Sequence, residues 1–508
     1  MAGGNHLIDL IRAAITAPKR RFLETPGGDS LSYGELLDLS GRYARVLAGL
    51  GVQPGDRVAV QAEKSVPALV LYLAVVRAGG VFLPLNPAYT AAEMAYFLAD
   101  AGPRVLICDP ARKAALSAAT ERAGVGHVET LDGQGKGSWA DLAAAEAGCD
   151  FADRPRAAAD LAALLYTSGT TGRPKGAMLS HENLASNAQT LVAAWRFTGA
   201  DVLLHALPIF HTHGLFVATN VTLFSGASLL YLPRFEVGPV LESLPRATVM
   251  MGVPTYYSRL LAADGFTAAL CAGMRLFISG SAPLSAELHR AFEARTGHAI
   301  LERYGMSETN MNTSNPYDGE RRPGTVGPPL AGVEVRITDL ESGAPVAPGA
   351  VGMIELRGPN VFSGYWRKPD STDEAFRDDG FFITGDMGRI DEDGYVAIVG
   401  REKDLIISGG LNVYPAEVEG EIDRIPGVAE SAVIGVPHDD YGEAVVAVVA
   451  LDGDAEMSAA DIQGVLSGSL AGFKRPKDVF FVEALPRNAM GKVEKAGLRE
   501  RYRRAFAE

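Results

Sequence analysis

ALLYTSGTTGRPKG, residues 163–176, is an apolar run that breaks into a loop of hydroxyl residues and glycines and ends on two cations. A run this short, followed at once by glycine-rich polar sequence, reads as a buried strand feeding a loop. The same design recurs between about residues 60 and 310: VLICD (105–109), VLLHALP (202–208), ASLLYLP (227–233), TVMMGVP (248–254), RLFISGS (275–281) and AILERYG (299–305). Amphipathic stretches separate them. Alternation of this kind predicts βαβ units, hence an α/β chain whose large N-terminal domain is built of doubly wound sheets. Several of these runs end in Gly, Ser, Pro or Thr. In such sheets ligands collect beyond the carboxyl ends of the strands, so candidate site residues are expected there.

The loop itself is a basic island. From Leu161 to His181 there is no acidic residue, while Arg173 and Lys175 are present, in a chain whose net charge is -14. An anion therefore needs a local site of this kind, and a triphosphate suits it. Thr167, Ser168, Thr170 and Thr171 offer hydroxyl donors. Gly169 and Gly172 let backbone N–H groups approach an anion. The string is not a Walker A loop, because Gly176 follows Lys175 where that motif needs Ser or Thr, and no GxGxxG occurs. A solvated turn of the same composition is the bland alternative.

Beyond Pro323 the pattern changes to short strands punctuated by Gly and Asp, VEVRITD, GMIELRG and GYVAIVG, which predicts a small antiparallel β subdomain over about 323–402. A charged junction, GREKDL, follows. The last hundred or so residues read as a self-contained small α+β domain, with strands at SAVIGVP, AVVAVVAL and DVFFVEAL and helices at PAEVEGEID and SAADIQGVL. The boundary is placed at Lys403, giving domains 1–402 and 403–508. A chain of 508 residues with 47% hydrophobic residues is long enough for two to four cores.

Composition also excludes partners. The negative net charge argues against nucleic acid and against anionic membrane. The apolar run Ala68 to Val76 stops at Arg77, far short of the ~20 residues that span a bilayer. Cys108, Cys149 and Cys271 are scattered without CxxC spacing, which argues against a disulfide framework or thiolate metal site and suits a reducing compartment. The basic first twenty residues resemble a transit peptide only superficially. Asp9 and the direct run into folded-looking sequence favour a surface helix and a cytoplasmic protein.

YTSGTTGRPKG resembles the signature of the adenylate-forming superfamily of acyl-CoA synthetases, luciferases and peptide-synthetase adenylation domains. Further strings like those of the family follow in order: LSYGEL (31–36), LPIFHTHG (207–214), GVPTYY (252–257), YGMSET (304–309), GTVG (324–327), TGD (384–386), GREKDLIISGGLNVYP (400–415) and PRNAMGK (486–492). The resemblance covers essentially the whole chain. It implies an ATP-dependent ligase that forms an acyl-AMP and pyrophosphate, then an acyl-CoA and AMP, with magnesium and coenzyme A.

Carried over residue by residue, the resemblance implies that Thr167 through Gly172 and Lys175 hold the triphosphate and that Glu308 helps bind magnesium. A hard cation favours such an oxygen ligand. It implies that Ser281, Ala282 and Tyr304 wall the adenine pocket, with Thr309, Asp386 and Arg401 completing the nucleotide site. Lys492 is implied to reach the reacting carboxylate and α-phosphate, where an ammonium stabilises gathering negative charge. Lys403 corresponds to a hinge about which a mobile C-terminal domain turns, bringing Gly409 and Gly410 to the pantetheine arm. Lys492 is also a candidate for regulatory acetylation.

The acid is read from LERYGM, where Arg303 stands at a position that many members fill with Gly. A guanidinium beside an acyl pocket is costly unpaired and binds a second carboxylate as a fork. His211, Ser279 and Met306 are expected nearby, making the pocket short and polar. The stretch 301–319 is similar to that of malonyl-CoA synthetases, which implies malonate, with methylmalonate as a second substrate. Other readings stay open: Arg303 as an ion pair with Glu302 or Glu308, His211 and His213 as metal ligands, His213 as a packing residue, and another acid specificity. So do transfer to a carrier protein in place of CoA, a non-catalytic nucleotide binder and a luciferase-type monooxygenase.

Overall fold

The computed structural model describes residues 4–146, 148–167, 174–409, 411–438, 440–453, 455–488 and 492–506. Of the expected triphosphate contacts, Ser168, Gly169, Thr170, Thr171 and Gly172 lie outside the described residues, and so does Gly410.

Two mostly parallel sheets make up the larger part of the chain. The first has six strands in the order His127–Thr130, Val105–Cys108, Arg57–Gln61, Val81–Pro84, Leu161–Thr167 and Lys175–Ser180, with only the last pair antiparallel. The second has eight, in the order Asn310–Ser314, Leu301–Met306, Leu276–Ser279, Val249–Gly252, Val202–His205, Ser228–Tyr231, Arg21–Glu24 and Ser30–Ser32. In the first sheet the chain leaves Arg57–Gln61 for the neighbour on one side and returns on the other; in the second it does the same around Val202–His205. Each sheet therefore has a topological switch point, where a crevice opens at the strand ends.

The helix Val66–Arg77 is apolar all round and buried from Ala68 to Arg77, as a helix between two sheets must be. Ser65 caps it, accepting from the Ala68 N–H at 3.3 Å. On this helix Tyr72 meets Phe82 of the six-stranded sheet and Phe216 behind the other, with ring centroids 5.5 and 5.4 Å away. Full burial stabilises by roughly 1.5–3 kcal/mol per large apolar side chain, so a polar residue at Leu71 or Val75 would loosen the junction of the two sheets. The expected N-terminal helix forms at His6–Ala14 and buries Leu7, Ile8 and Ile11.

The predicted β subdomain is a four-stranded antiparallel sheet, Glu334–Thr338, Gly352–Arg357, Phe382–Ile390 and Val396–Arg401. Its last two strands place Asp386 directly opposite Arg401. After a short turn, Glu402–Asp404, a five-stranded sheet begins at Ile406–Ser408, backed by the helices Pro415–Ile422 and Ala459–Ser469 over its own core of Val418, Ile422, Val433, Val445, Val449, Ile462 and Leu466. Residues 363–366 run along the outer side of Lys175–Ser180: Met178 N–H donates to Gly364 O (3.0 Å), Ser363 N–H to Met178 O (3.2 Å) and Trp366 N–H to Gly176 O (2.8 Å). Among the described residues no helix is long and apolar enough to cross a membrane.

Candidate active site

The loop read as a triphosphate holder is carried by a hairpin. Thr167 and Lys175 are paired across Leu161–Thr167 and Lys175–Ser180, so both ends of the loop are fixed by a ladder. The return strand is a finding of the structure; the sequence announced only the first. Two phenols anchor the base: Tyr166 OH donates to Asp100 Oδ2 at 2.5 Å, and Tyr96 OH to Pro174 O at 2.6 Å. Lys175 Nζ stands 5.1 Å from the Tyr365 ring centroid, and Tyr365 OH donates to Glu308 Oε1 at 3.1 Å. One ring thus joins the loop lysine to the expected metal ligand.

Glu308 is buried, 6% exposed, and among the described residues it forms no ion pair. Burial pushes its carboxyl above the usual carboxylate range. A bound cation would restore the ionised form, and a carboxylate oxygen suits magnesium, so the residue fits the implied metal. Among the described residues no group of three or more His, Cys, Asp or Glu could hold an ion. Beside it, Thr309 Oγ1 is buried without a partner.

The nucleotide end is built around Asp386, where sheet register does the placing. Arg401 Nε lies 2.7 Å from Asp386 Oδ1, and Tyr304 OH donates to Oδ2 at 2.5 Å. The Asp386 charge, first among several causes, holds Arg401 above its ordinary value. Ser281 sits in the left-handed region at φ +72°, a conformation that costs a non-glycine residue roughly 1–3 kcal/mol. That conformation directs its Oγ to His213 Nδ1, 3.2 Å away; Ala282 follows, half-buried. Lys403 is exposed in the turn after Arg401, and the next residue, Asp404, accepts from Arg499 at 2.9 Å. Gly409, at φ +59°, donates its N–H to Tyr441 O at 2.8 Å in an exposed hairpin.

Arg303 is 2% exposed, and its Nε and Nη2 have no hydrogen-bond partner. The ion-pair reading does not hold. Successive residues of a strand point to opposite faces, and Glu302 turns away to accept the Leu284 N–H at 3.1 Å. Burial raises Glu302 to about 8 and lowers Arg303 to about 10. The guanidinium lies over Gly280, where a Cβ would stand 2.7 Å from Nε and nearer still to Cζ. Ser279, by contrast, is in register with Glu302. Its Oγ is buried and without a hydrogen-bond partner, so no hydrogen bond joins it to the guanidinium. Met306 Sδ lies 3.8 Å from Tyr304 OH.

His211 and His213 do not share a strand face. His211 lies in the turn and His213 opens a wide, π-type turn, His213–Ala218, a geometry that often marks functional sites. Both Nε2 atoms are buried without partners. Burial and then the Lys492 charge lower His211 to about 3, while burial and the Arg303 charge hold His213 well below the ordinary histidine range. Both imidazoles are neutral at physiological pH. His213 is a buried polar group that contacts Ser281 and feels the Arg303 charge. Its signal was the second histidine of LPIFHTHG. Gly280 and Tyr365 also escaped the sequence reading.

Lys492 comes from the C-terminal unit and faces this cleft. Burial is the main cause lowering it from the ordinary lysine value; Arg401 and Arg303 add to this, and Asp386 and Glu308 oppose it. Its own N–H donates to Asn488 Oδ1 at 3.0 Å. A cleft flanked by the paired ends of a basic, hydroxyl-rich loop, with a buried carboxylate, an Asp–Arg pair and a lysine delivered from a second unit, suits a nucleotide-dependent transferase or ligase.

The comparisons agree. Residues 11–366 match the model of the AMP-binding enzymes, and residues 417–492 match the C-terminal domain of the same enzymes. The chain belongs to this family of adenylate-forming enzymes. A feruloyl-CoA synthase of Amycolatopsis sp is 37% identical over 94% of this chain and 95% of its own. The mitochondrial malonate–CoA ligase ACSF3 of Mus musculus is 37% identical over 92% of this chain and 86% of its own. ATP-bound MatB from Rhodopseudomonas palustris is 58% identical, covers 99% of this chain and 100% of its own, and superimposes with a TM-score of 0.97. Against the apo form of that protein, at the same identity and coverage, the TM-score is 0.86. The arrangement of the chain is thus closer to the ATP-bound form.

Proposed function

We propose that the protein is an ATP-dependent malonate–CoA ligase. The observation that carries this reading is the buried Arg303 guanidinium, with two nitrogens unpartnered and, among the described residues, no carboxylate in ion-pair range. A buried unpaired cation costs several kcal/mol, and a second carboxylate on the substrate removes that cost. The curated relatives named malonate–CoA ligases support the choice of acid. One carboxylate of malonate binds Arg303; the other attacks the α-phosphorus of ATP. The new P–O bond forms as the bond to pyrophosphate breaks, and Lys492 stabilises the charge on the pentavalent phosphorus. Asp386 holds the ribose hydroxyls, with Arg401 fixing its carboxylate. Magnesium, held by Glu308 and phosphate oxygens, would neutralise the triphosphate. His211 and Met306 line the acyl side, and Ser281, Ala282 and Tyr304 line the base.

In the second half-reaction the unit after Lys403 turns about that residue, withdrawing Lys492 and presenting Gly409 and Gly410. The CoA sulfur attacks the acyl carbonyl, its proton passes to solvent, and AMP leaves. Methylmalonate differs by one methyl and is the second substrate. Acetylation of Lys492 would remove the charge and stop the first half-reaction only. The three free cysteines suit a reducing, cytoplasmic setting.

The test is acid-dependent exchange of labelled pyrophosphate into ATP across short mono- and dicarboxylic acids, followed by product analysis with CoA. Malonate is expected to lead, and malonyl-CoA with AMP to form. Arg303→Ala should lose malonate far more than acetate. A lead by ferulate or acetate, or acceptance of the acyl group only by a carrier protein, would overturn the assignment.

A further inference from the structure

Lys64 and His205 are buried, 8% and 0% exposed, and neither takes part in an ion pair among the described residues. Lys64 Nζ lies 2.8 Å from His205 Nδ1, 2.8 Å from His205 O and 4.3 Å from the Tyr231 ring centroid. His205 Nε2 lies 2.8 Å from Gly214 O. One tautomer satisfies the chain: Lys64 donates to Nδ1, and Nε2–H donates to the Gly214 carbonyl. Burial holds both groups well below their ordinary values. Two basic side chains without an acid are an expensive way to fill a core, since apolar residues of the same volume would pack without the desolvation cost.

Their place in the fold gives a reason for that cost. Lys64 follows Arg57–Gln61, the switch-point strand of the six-stranded sheet, and His205 ends Val202–His205, the switch-point strand of the eight-stranded sheet. The relay therefore ties the two crevices together. Its far end, Gly214, closes the loop 206–213, which carries His211 and His213. The closure is tight: a Cβ on Gly214 would stand 3.0 Å from Leu207 Cβ and closer to Pro208 O.

We propose that Lys64 and His205 are positioning residues for the acid: the Lys64, His205, Gly214 relay fixes the turn that presents His211 and His213 to the acid held by Arg303. This rests on the reading of those residues as the acyl pocket. The contacts of the pair run to Tyr231 and to Gly214 of the histidine-bearing turn, so its effect is expected on acid recognition and not on ATP recognition.

The experiment compares His205→Leu, His205→Gln and the double variant Lys64→Met/His205→Leu, measuring KM for malonate, KM for ATP and Tm. Leu breaks the relay and leaves Lys64 unpaired. It should raise KM for malonate by about tenfold or more, the factor that ~1.4 kcal/mol of lost positioning produces, with KM for ATP within about twofold. The Gln amide can accept from Lys64 and donate to Gly214, so KM should stay within about threefold of wild type. The double variant should regain the lost Tm, because both buried polar partners are gone, yet keep the raised KM. Equal rises in both KM values, a Gln variant as impaired as the Leu variant, or recovery of KM in the double variant would each overturn the inference while leaving the acyl pocket intact. No turnover of any short acid by the wild-type protein would overturn both.

Discussion

Gly280→Ala isolates the role of Arg303 without touching its charge. The backbone at 280 is not in the left-handed region, so alanine fits it without strain. The new methyl, however, would occupy the place of the guanidinium, 2.7 Å from Nε and nearer to Cζ. Ordinary contact between such atoms is about 3.5–4.0 Å, so the head group must retreat by about 1 Å. A displacement of that size can cost about a hundredfold in rate, and losing a charge-assisted hydrogen bond costs about 1.5–3 kcal/mol. These bounds place the fall in kcat/KM for malonate at about 10- to 150-fold. The assay is AMP formation with CoA, run in parallel on malonate and acetate, with Tm as a control for folding. Acetate does not use the guanidinium and should change by less than about threefold. Equal losses on both acids, or an unchanged malonate rate, would refute the placement of the second carboxylate on Arg303.

Lys492→Ala should lower pyrophosphate exchange by about 10²–10³-fold, while transfer from preformed malonyl-AMP to CoA stays within a few-fold; normal exchange would remove the lysine from the first half-reaction. Because Lys492 sits below the ordinary lysine value and acts when charged, exchange should be full at lower pH and fall as pH rises through that depressed value, with the alkaline limb moving upward in Lys492→Arg. Arg401→Ala leaves Asp386 buried without its cation and should raise KM for ATP about tenfold, with KM for malonate little changed. Glu302 rises from 4.5 to about 8 on folding, so its contribution to stability is full below 4.5 and is lost as pH climbs to about 8. Glu302→Gln should therefore match wild type in Tm near about pH 5, gain over it up to about pH 8, and keep a constant gain above; a constant difference throughout would place the titration elsewhere.

The parallel sheets were legible because strands buried on both faces read as unbroken apolar runs, as in TVMM and RLFIS. Arg21–Glu24, Ser30–Ser32 and Lys175–Ser180 gave no such signal. RFLE and SLS are short, SLS lying at the edge of its sheet, and KGAMLS becomes a strand only because Leu161–Thr167 pairs with it. In the site, Asp386 and Arg401 came from motif positions, but their ion pair follows from sheet register, which no local pattern encodes. The period of two along LERYGM was enough to separate Glu302 from Arg303. Nothing in AEKSVP marks Lys64 as buried, since a lysine in a polar turn is ordinarily solvated. Only the meeting of two strands far apart in sequence puts His205 beside it.

Residues 363–366 have a consequence for solubility. Lys175–Ser180 ends the six-stranded sheet, and a bare edge of that length is a template on which another chain can add strands. The short cover formed by 363–366 occupies those backbone groups. Tyr365 within it also touches Lys175 and Glu308, so a bound nucleotide and its cation would hold the cover down by mass action. Resistance to aggregation and occupancy of the nucleotide cleft are thus linked through one aromatic ring, and protein stored with nucleotide is expected to keep this sheet edge sealed.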